Sequence, residues 1–292
     1  MEPNEVLWFL FSAVAVLIAL AVASRGFQVD EDYVARWANS ANVALTNESR
    51  PVVRRYLTWS RRCRTAGGFA GFLVPVITSA VIGKPDDPGP WAVALMVVGY
   101  LLGALLAEVV INRPERGKGT ALLIPRRLGD YLPAYVLVLQ RGLAILSVLM
   151  VPVYALLEPH ARFSTPSVAG AAAFGIAGVC IAAFIEGLQR RIIARRQPVT
   201  RAADLTLDDA MRASSLHVLA GAGIALLIYI ASLMVAISIA TVTPEPVSTA
   251  VGIAFLLLVV PSSIFFWVHL AKPHGFRVRR GEKLGETRGI SA

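Results

Sequence analysis

Residues 215–241 read SLHVLAGAGIALLIYIASLMVAISIAT and hold no Asp, Glu, Lys or Arg. An α-helix rises about 1.5 Å per residue, so roughly 20 apolar residues cross the ~30 Å hydrocarbon core of a bilayer. This stretch is long enough to do so. Six more segments share its character: 6–24, 67–83, 91–112, 133–157, 167–189 and 247–271. Segment 67–83 is short and contains Pro75, while Pro152 and Pro261 lie within 133–157 and 247–271. Proline removes an intrahelical hydrogen bond, so these three helices are expected to bend. A simple kink accounts for such prolines, and a hinge used in function is the alternative. The expected fold is an all-α, polytopic membrane helix bundle: a single membrane domain, 1–292, with seven transmembrane helices.

Composition agrees. Hydrophobic residues make up 56% of the chain and charged residues 16%, against about 25% charged in soluble domains. Aromatics are 8%, so the apolar excess is Ala, Val, Leu and Ile, as on lipid-facing helices.

The net charge of +9 gains meaning from its placement. Segments 25–66, 113–132, 190–214 and 272–292 hold eight, five, six and six of the 28 Lys and Arg residues. The alternate connections hold only Lys84 and Arg162, and Arg141 lies inside a span. Lys and Arg are retained on the cytoplasmic side. The N-terminus is therefore expected outside and the C-terminus in the cytoplasm, with the protein multi-pass in the cell membrane. Met1 to Glu5 contains two Glu and no basic residue, unlike the positive start of a cleavable signal, so 6–24 is read as a retained helix. The outer connections, 84–90, 158–166 and 242–246, are short and Pro-containing, too small for a ligand-binding module.

The longest cytoplasmic loop, 25–66, carries an amphipathic pattern. Val52, Val53, Tyr56, Leu57 and Cys63 form an apolar stripe, and Arg54, Arg55, Arg61, Arg62 and Arg64 fall largely elsewhere. That pattern suits a basic helix at the membrane surface in contact with anionic lipid headgroups. It equally suits a helix leading into the next span. Tyr33 and Trp37, within Asp30 to Leu45, have the spacing of a second short helix. Thr206 with Asp209 reads as a capping box, and Thr165-Pro166 as a helix start. The tail 272–292 is basic.

Charged groups within a bilayer are costly and are the first functional candidates. Arg141 lies well inside its span, and Glu108 and Glu186 lie near the cytoplasmic ends of theirs. Arg141 is expected to face the bundle interior and meet a carboxylate, Glu108 first because consecutive spans tend to be neighbours. Such a group is either an ion pair fixing helix order or a proton- or substrate-linked site. Gly99, Gly103 and Ala107 recur every fourth residue, as do Ala171 with Gly175 and Gly178 with Ala182. These small-residue stripes serve helix packing within the bundle or a homo-oligomer. Glu108 and Glu186 each close a span before a basic loop, a repetition that fits either duplicated hairpins or chance.

Several chemistries lack their residues. His160, His217, His269 and His274 include no i, i+4 pair of the H-E-x-x-H kind, so no metal or other cofactor is expected. Cys63 and Cys180 belong at different depths and are read as free thiols. The last span contains no Lys for a retinal Schiff base; Lys272 is at its boundary. Neither a G-x-x-x-x-G-K-[ST] loop nor a G-x-S-x-G elbow occurs. The basic residues are divided among four segments without interleaved aromatics, so no nucleic-acid partner is expected.

In its Arg-rich, Ala/Val-rich spans and compact outer turns the chain resembles uncharacterised multi-span membrane proteins of actinobacteria. That resemblance covers the whole chain in style and carries no functional residue. The function expected is a non-enzymatic component of a transport or cell-envelope system, acting with a membrane or cytoplasmic protein partner through its basic face. The alternatives are a secondary transporter or channel using Arg141, Glu108 and Glu186, and an integral enzyme acting on lipid.

Overall fold

A computed structural model describes residues 29–82, 89–111, 127–160, 167–195 and 202–271. Segment 6–24, Thr165, Pro166 and the tail 272–292 lie outside these. Among the described residues every regular element is helical. The helices are α1 (Glu31–Ala41), α2 (Ser49–Ile82), α3 (Gly89–Ile111), α4 (Ala134–Leu157), α5 (Val168–Ala194), α6 (Ala202–Val242), α7 (Glu245–Ala254) and α8 (Val260–Leu270). Short 3-10 turns precede and follow α4, and a π-helical turn, Phe255–Val259, joins α7 to α8. Five stretches are long and apolar enough to cross a membrane: Ala94–Ile111, Ala134–Leu157, Val168–Ala194, Thr206–Val242 and Pro246–Leu270. The chain is an integral membrane protein. Segment 67–83 is helical to Ile82 as the second half of α2, and is not one of those five.

The chain divides into two compact units, one of Met1–Ala38 with Leu45–Arg113, the other of Asn39–Ala44 with Pro114–Ala292. In the first, Asp30 caps α1 by accepting from the Tyr33 backbone N–H at 2.8 Å. Asn42, at φ 54°, ends α1 in the left-handed conformation that Asn tolerates. Thr46 and Ser49 start α2 by a reciprocal bond, each side-chain oxygen accepting the other's backbone N–H at 3.1 and 2.9 Å. The buried stripe of α2 begins with Val53, Tyr56, Leu57 and Ser60. Val52, expected on that stripe, is instead 50% exposed; the stripe is centred near Val53, and Val52 lies about 100° of helix rotation to one side of it.

Beyond that stripe α2 runs antiparallel to α3 with backbones almost touching. A β-carbon on Gly71 would overlap the Leu95 carbonyl oxygen, one on Gly99 the Gly67 carbonyl, and one on Gly103 the Cys63 carbonyl. Gly99 and Gly103 therefore pack within the chain, against Gly67, Gly71 and the Cys63–Arg64 backbone of α2, and Ala107 is buried.

In the second unit α6 is the central helix, flanked by α4, α5, α7 and α8. Leu216, Leu219, Ala220, Ile224 and Leu227 on it are fully buried. Gly223 admits Ile185 of α5, and Gly221 faces Trp267 of α8. Gly175 and Gly178 of α5 receive Val151 and Ser147 of α4, and Ala171 clusters with Tyr154 and Met234.

Two expected helix starts move. Thr206 is no cap, because α6 already begins at Ala202 and the acidic residues after Thr206 have other partners, described below. The cap of α5 is Ser167, whose hydroxyl accepts from the Gly170 N–H at 3.3 Å. The prolines behave differently from one another. Pro75 and Pro152 lie inside continuous α2 and α4. Pro261 follows the π-helical turn, where the hydrogen-bond ladder shifts before reaching the residue that lacks a donor.

Candidate functional site

The most buried charge in the second unit is Arg212, fully enclosed near the start of α6. Its Nη1 donates to the carbonyl oxygens of Ile192, Ile193 and Arg195 at 2.5, 3.0 and 3.1 Å. Ile192 and Ile193 are in the last turn of α5, where carbonyls lack the donor four residues on; Ile192 has only the long 3.4 Å bond from the Arg195 N–H. Arg212 thus satisfies those carbonyls and places positive charge at the negative end of the α5 dipole. Its Nη2 donates to Asp208 Oδ2 at 2.8 Å, one turn back on α6, and Arg195 bonds Asp208 Oδ1. Next to this pair, Asp209 accepts from the Tyr131 hydroxyl at 3.3 Å, which ties in the turn before α4. One and a half turns on, His217 bonds through Nδ1 to the Leu270 carbonyl of α8 at 3.0 Å. A carbonyl only accepts, so Nδ1 carries the proton there.

These bonds form a polar collar on α6. Through it the starts of α4 and α6 and the ends of α5 and α8 meet at one end of the second unit. Arg212 was missed in the sequence, where it counts as one more basic loop residue. Its signal is the i, i+4 spacing from Asp208, directly before an apolar run.

Of the three candidate intramembrane charges, two meet within the second unit and the third belongs to the first. Arg141 pairs with Glu186: Nη2 lies 2.6 Å from Oε1 and Nε 3.3 Å from Oε2. Arg190, one turn further on α5, bonds the same Oε1 at 2.6 Å. The Arg141 side chain is 58% exposed and that of Arg190 69%. The expectation that Arg141 faces inward is therefore corrected. The interior position next to it belongs to Gln140, which is fully buried and donates to the Ala182 carbonyl at 3.1 Å. Glu108 belongs to the first unit, is buried there, and accepts from the Tyr56 hydroxyl at 3.3 Å. The two glutamates of the sequence repetition thus sit in different chemical settings. Ser147 and Gln189 are also fully buried, on α4 and α5, and neither amide atom of Gln189 has a partner among the described residues.

The basic stripe of α2 is likewise divided. Arg54 pairs with Glu31 at 3.3 Å and Arg50 with the same carboxylate at 3.6 Å. Arg61 and Arg36 lie over the Tyr33 ring at 5.6 and 6.0 Å. Arg64 is half-buried, whereas Arg55 and Arg62 are exposed. Burial pushes the Cys63 thiol above its ordinary pKa, with nearby Glu108 adding to the rise and Arg64 opposing it. That thiol is therefore neutral at physiological pH and a poor nucleophile. Cys63 and Cys180 are free. His269 stacks on Phe265 at 5.8 Å. Among the described residues no group of three His, Cys, Asp or Glu is placed to hold a metal ion. No protein-family model matches the chain, and no curated protein or solved structure matches it.

Proposed function

We propose that the protein is a non-enzymatic membrane component of a transport or cell-envelope system, docking a protein partner on its basic cytoplasmic face. Seven spans, an outside N-terminus and a cytoplasmic C-terminus belong to this reading. One observation carries it. The interior charges of the membrane-crossing helices are already engaged in architecture: Glu108 with Tyr56, Asp208 with Arg212 and Arg195, Asp209 with Tyr131, and Arg212 with the end of α5. Groups held this way are poor acid-base catalysts, which weighs against an enzyme acting on lipid. Arg55 and Arg62, by contrast, remain exposed on α2 and suit an acidic protein surface.

A second reading, a solute path, is favoured by a different observation: Gln140, Ser147 and Gln189 are fully buried on membrane-crossing helices. Arg141, on an outer face, does not suit such a path.

One comparison separates the two. The protein is extracted from its native membrane in polymer-bounded discs and its complex mass measured, alongside an Arg55→Glu, Arg62→Glu variant. A discrete larger complex that falls to the protomer mass in the variant is the expected result. A protomer mass for the wild type, together with solute flux in proteoliposomes that Gln189→Leu abolishes, would replace the docking reading by the path.

A further inference from the structure

The Arg141, Glu186, Arg190 cluster has more positive than negative charge, and it lies on the outside. Two guanidinium groups share one carboxylate, and both bond the same oxygen, Glu186 Oε1, at 2.6 Å. That oxygen is saturated, and the two donor nitrogens are at most twice that distance apart. The Arg side chains remain 58% and 69% exposed while Glu186 is 19% exposed, so the unused donors point away from the protein. On the face of α4 that Arg141 occupies the surface is apolar: Val138 is 70% exposed, Ile145 59% and Val148 43%. On helices of this length and composition such a face meets lipid. Tyr135, 56% exposed, stands two turns before Arg141, where an amphipathic ring suits the headgroup level. The next residue after each of Arg141 and Glu186 is a glycine, and a β-carbon on Gly142 or Gly187 would meet no atom within 4 Å. Among the described residues nothing lies against the helix surface beside Arg141 and Glu186.

A surplus positive charge at the edge of a bilayer attracts anionic headgroups. Arginine donors at this spacing match the oxygens of a phosphate, which guanidinium groups bind in bidentate fashion. We propose that Arg141 and Arg190 bind the phosphodiester of an anionic phospholipid, its acyl chains lying along Ile145 and Val148, one and two turns deeper on the same face of α4. One phosphate neutralises the surplus: two arginines against one carboxylate and one phosphodiester leave no net charge. Arg190 is one turn, about 6 Å, closer to the end of α5 than Glu186. It therefore supplies the headgroup-side contact, while Arg141 anchors the pair from below.

The site rests on the chain spanning a membrane and is independent of any partner on α2. Its test uses the full-length protein in nanodiscs containing a photoreactive phosphatidylglycerol or phosphatidylcholine, with the crosslinked peptide located by mass spectrometry. The wild type should label on α4 and α5 with phosphatidylglycerol several-fold above phosphatidylcholine. Arg190→Gln removes the surplus charge and leaves the Arg141–Glu186 pair neutral and intact. It should lower that labelling by roughly five-fold, the factor for one basic residue at an anionic membrane surface, and Arg190→Lys should restore most of it. Glu186→Gln, which increases the surplus, should retain or strengthen the labelling. Equal labelling by the two lipids in the wild type, or undiminished phosphatidylglycerol labelling in Arg190→Gln, would overturn the site.

Discussion

Arg212 shows how a single residue can be both expensive and indispensable. Enclosing a guanidinium is unfavourable unless its donors are met, and here Nη1 and Nη2 meet three carbonyl oxygens and a carboxylate, while Nε has no partner among the described residues. Arg212→Ala should destabilise the protein by about 3–5 kcal/mol, since it leaves the end of α5 and part of Asp208 unsatisfied. Arg212→Lys should recover part of that loss, because one ammonium cannot reach all these acceptors at once. Unfolding of the detergent-solubilised protein by titrated SDS measures both. A change within about 0.5 kcal/mol for Arg212→Ala would mean the collar contributes nothing. Little of this was legible in the sequence. The residue types at 208, 209 and 212 are visible, but counting charges by loop assigns Arg212 to the water. Only the third dimension brings the end of α5 to it. The Arg141 expectation went astray for a related reason: hydropathy gives depth along a helix, not azimuth. Arg141 and Gln140 differ by one position and about 100° of rotation, and Gln140 took the inside.

At the scale of helices, the pattern of small residues was the more informative signal. Gly99 and Gly103 were readable as a packing stripe, but their partners, Gly67 and Gly71, lie in the weakest apolar segment and did not stand out there. The contact explains why that segment is so rich in glycine: it lets two backbones approach where side chains would hold them apart. Gly71→Ala and Gly99→Ala should each destabilise by about 1–3 kcal/mol, since the added methyl meets a carbonyl oxygen of the opposite helix that cannot rotate away. Gly187→Ala is the control. Its methyl would meet nothing, and alanine is the better helix former, so the variant should be neutral or more stable by up to about 1 kcal/mol. The same SDS titration ranks the three; equal effects at all three positions would rule out backbone contact as the cause. Helix boundaries were legible to within a few residues at α1, read within Asp30 to Leu45 and helical over Glu31–Ala41. They slipped at α6, because nothing in Thr206-x-x-Asp209 reveals that Asp208 and Asp209 bond to arginine and tyrosine rather than to their own backbone.

For the whole molecule the question is sidedness, and two independent lines of physics bear on it. The first is the charge count, which places the basic segments 113–132, 190–214 and 272–292 on one side. The second is the collar, which owes nothing to charge counting. Tyr131 with Asp209, Arg212 with Ile192, and His217 with Leu270 bring the starts of α4 and α6 and the ends of α5 and α8 to one end of their unit. Those are the ends from which the three basic segments lead. Within the first unit, α2 runs antiparallel, at glycine contact, to a helix that is itself apolar enough to cross. A helix pressed along a spanning helix in this way has no other place for its own apolar half, which favours α2 as a further span. The outcome expected in a variant lacking Cys63 and Cys180 follows directly. A membrane-impermeant maleimide added to intact cells should label Glu158→Cys and Thr243→Cys, at the far ends of α4 and α6. It should reach Arg127→Cys, beside Tyr131, and Gly285→Cys, in the basic tail, only after the cells are opened. Labelling of Arg127→Cys and Gly285→Cys in intact cells, with Glu158→Cys and Thr243→Cys protected, would invert the orientation while keeping the collar. Labelling of Arg127→Cys together with Glu158→Cys would contradict α4 as a span. Each helix end is thus tested against its own partner in the collar, so an error in the charge argument and an error in the fold give different patterns.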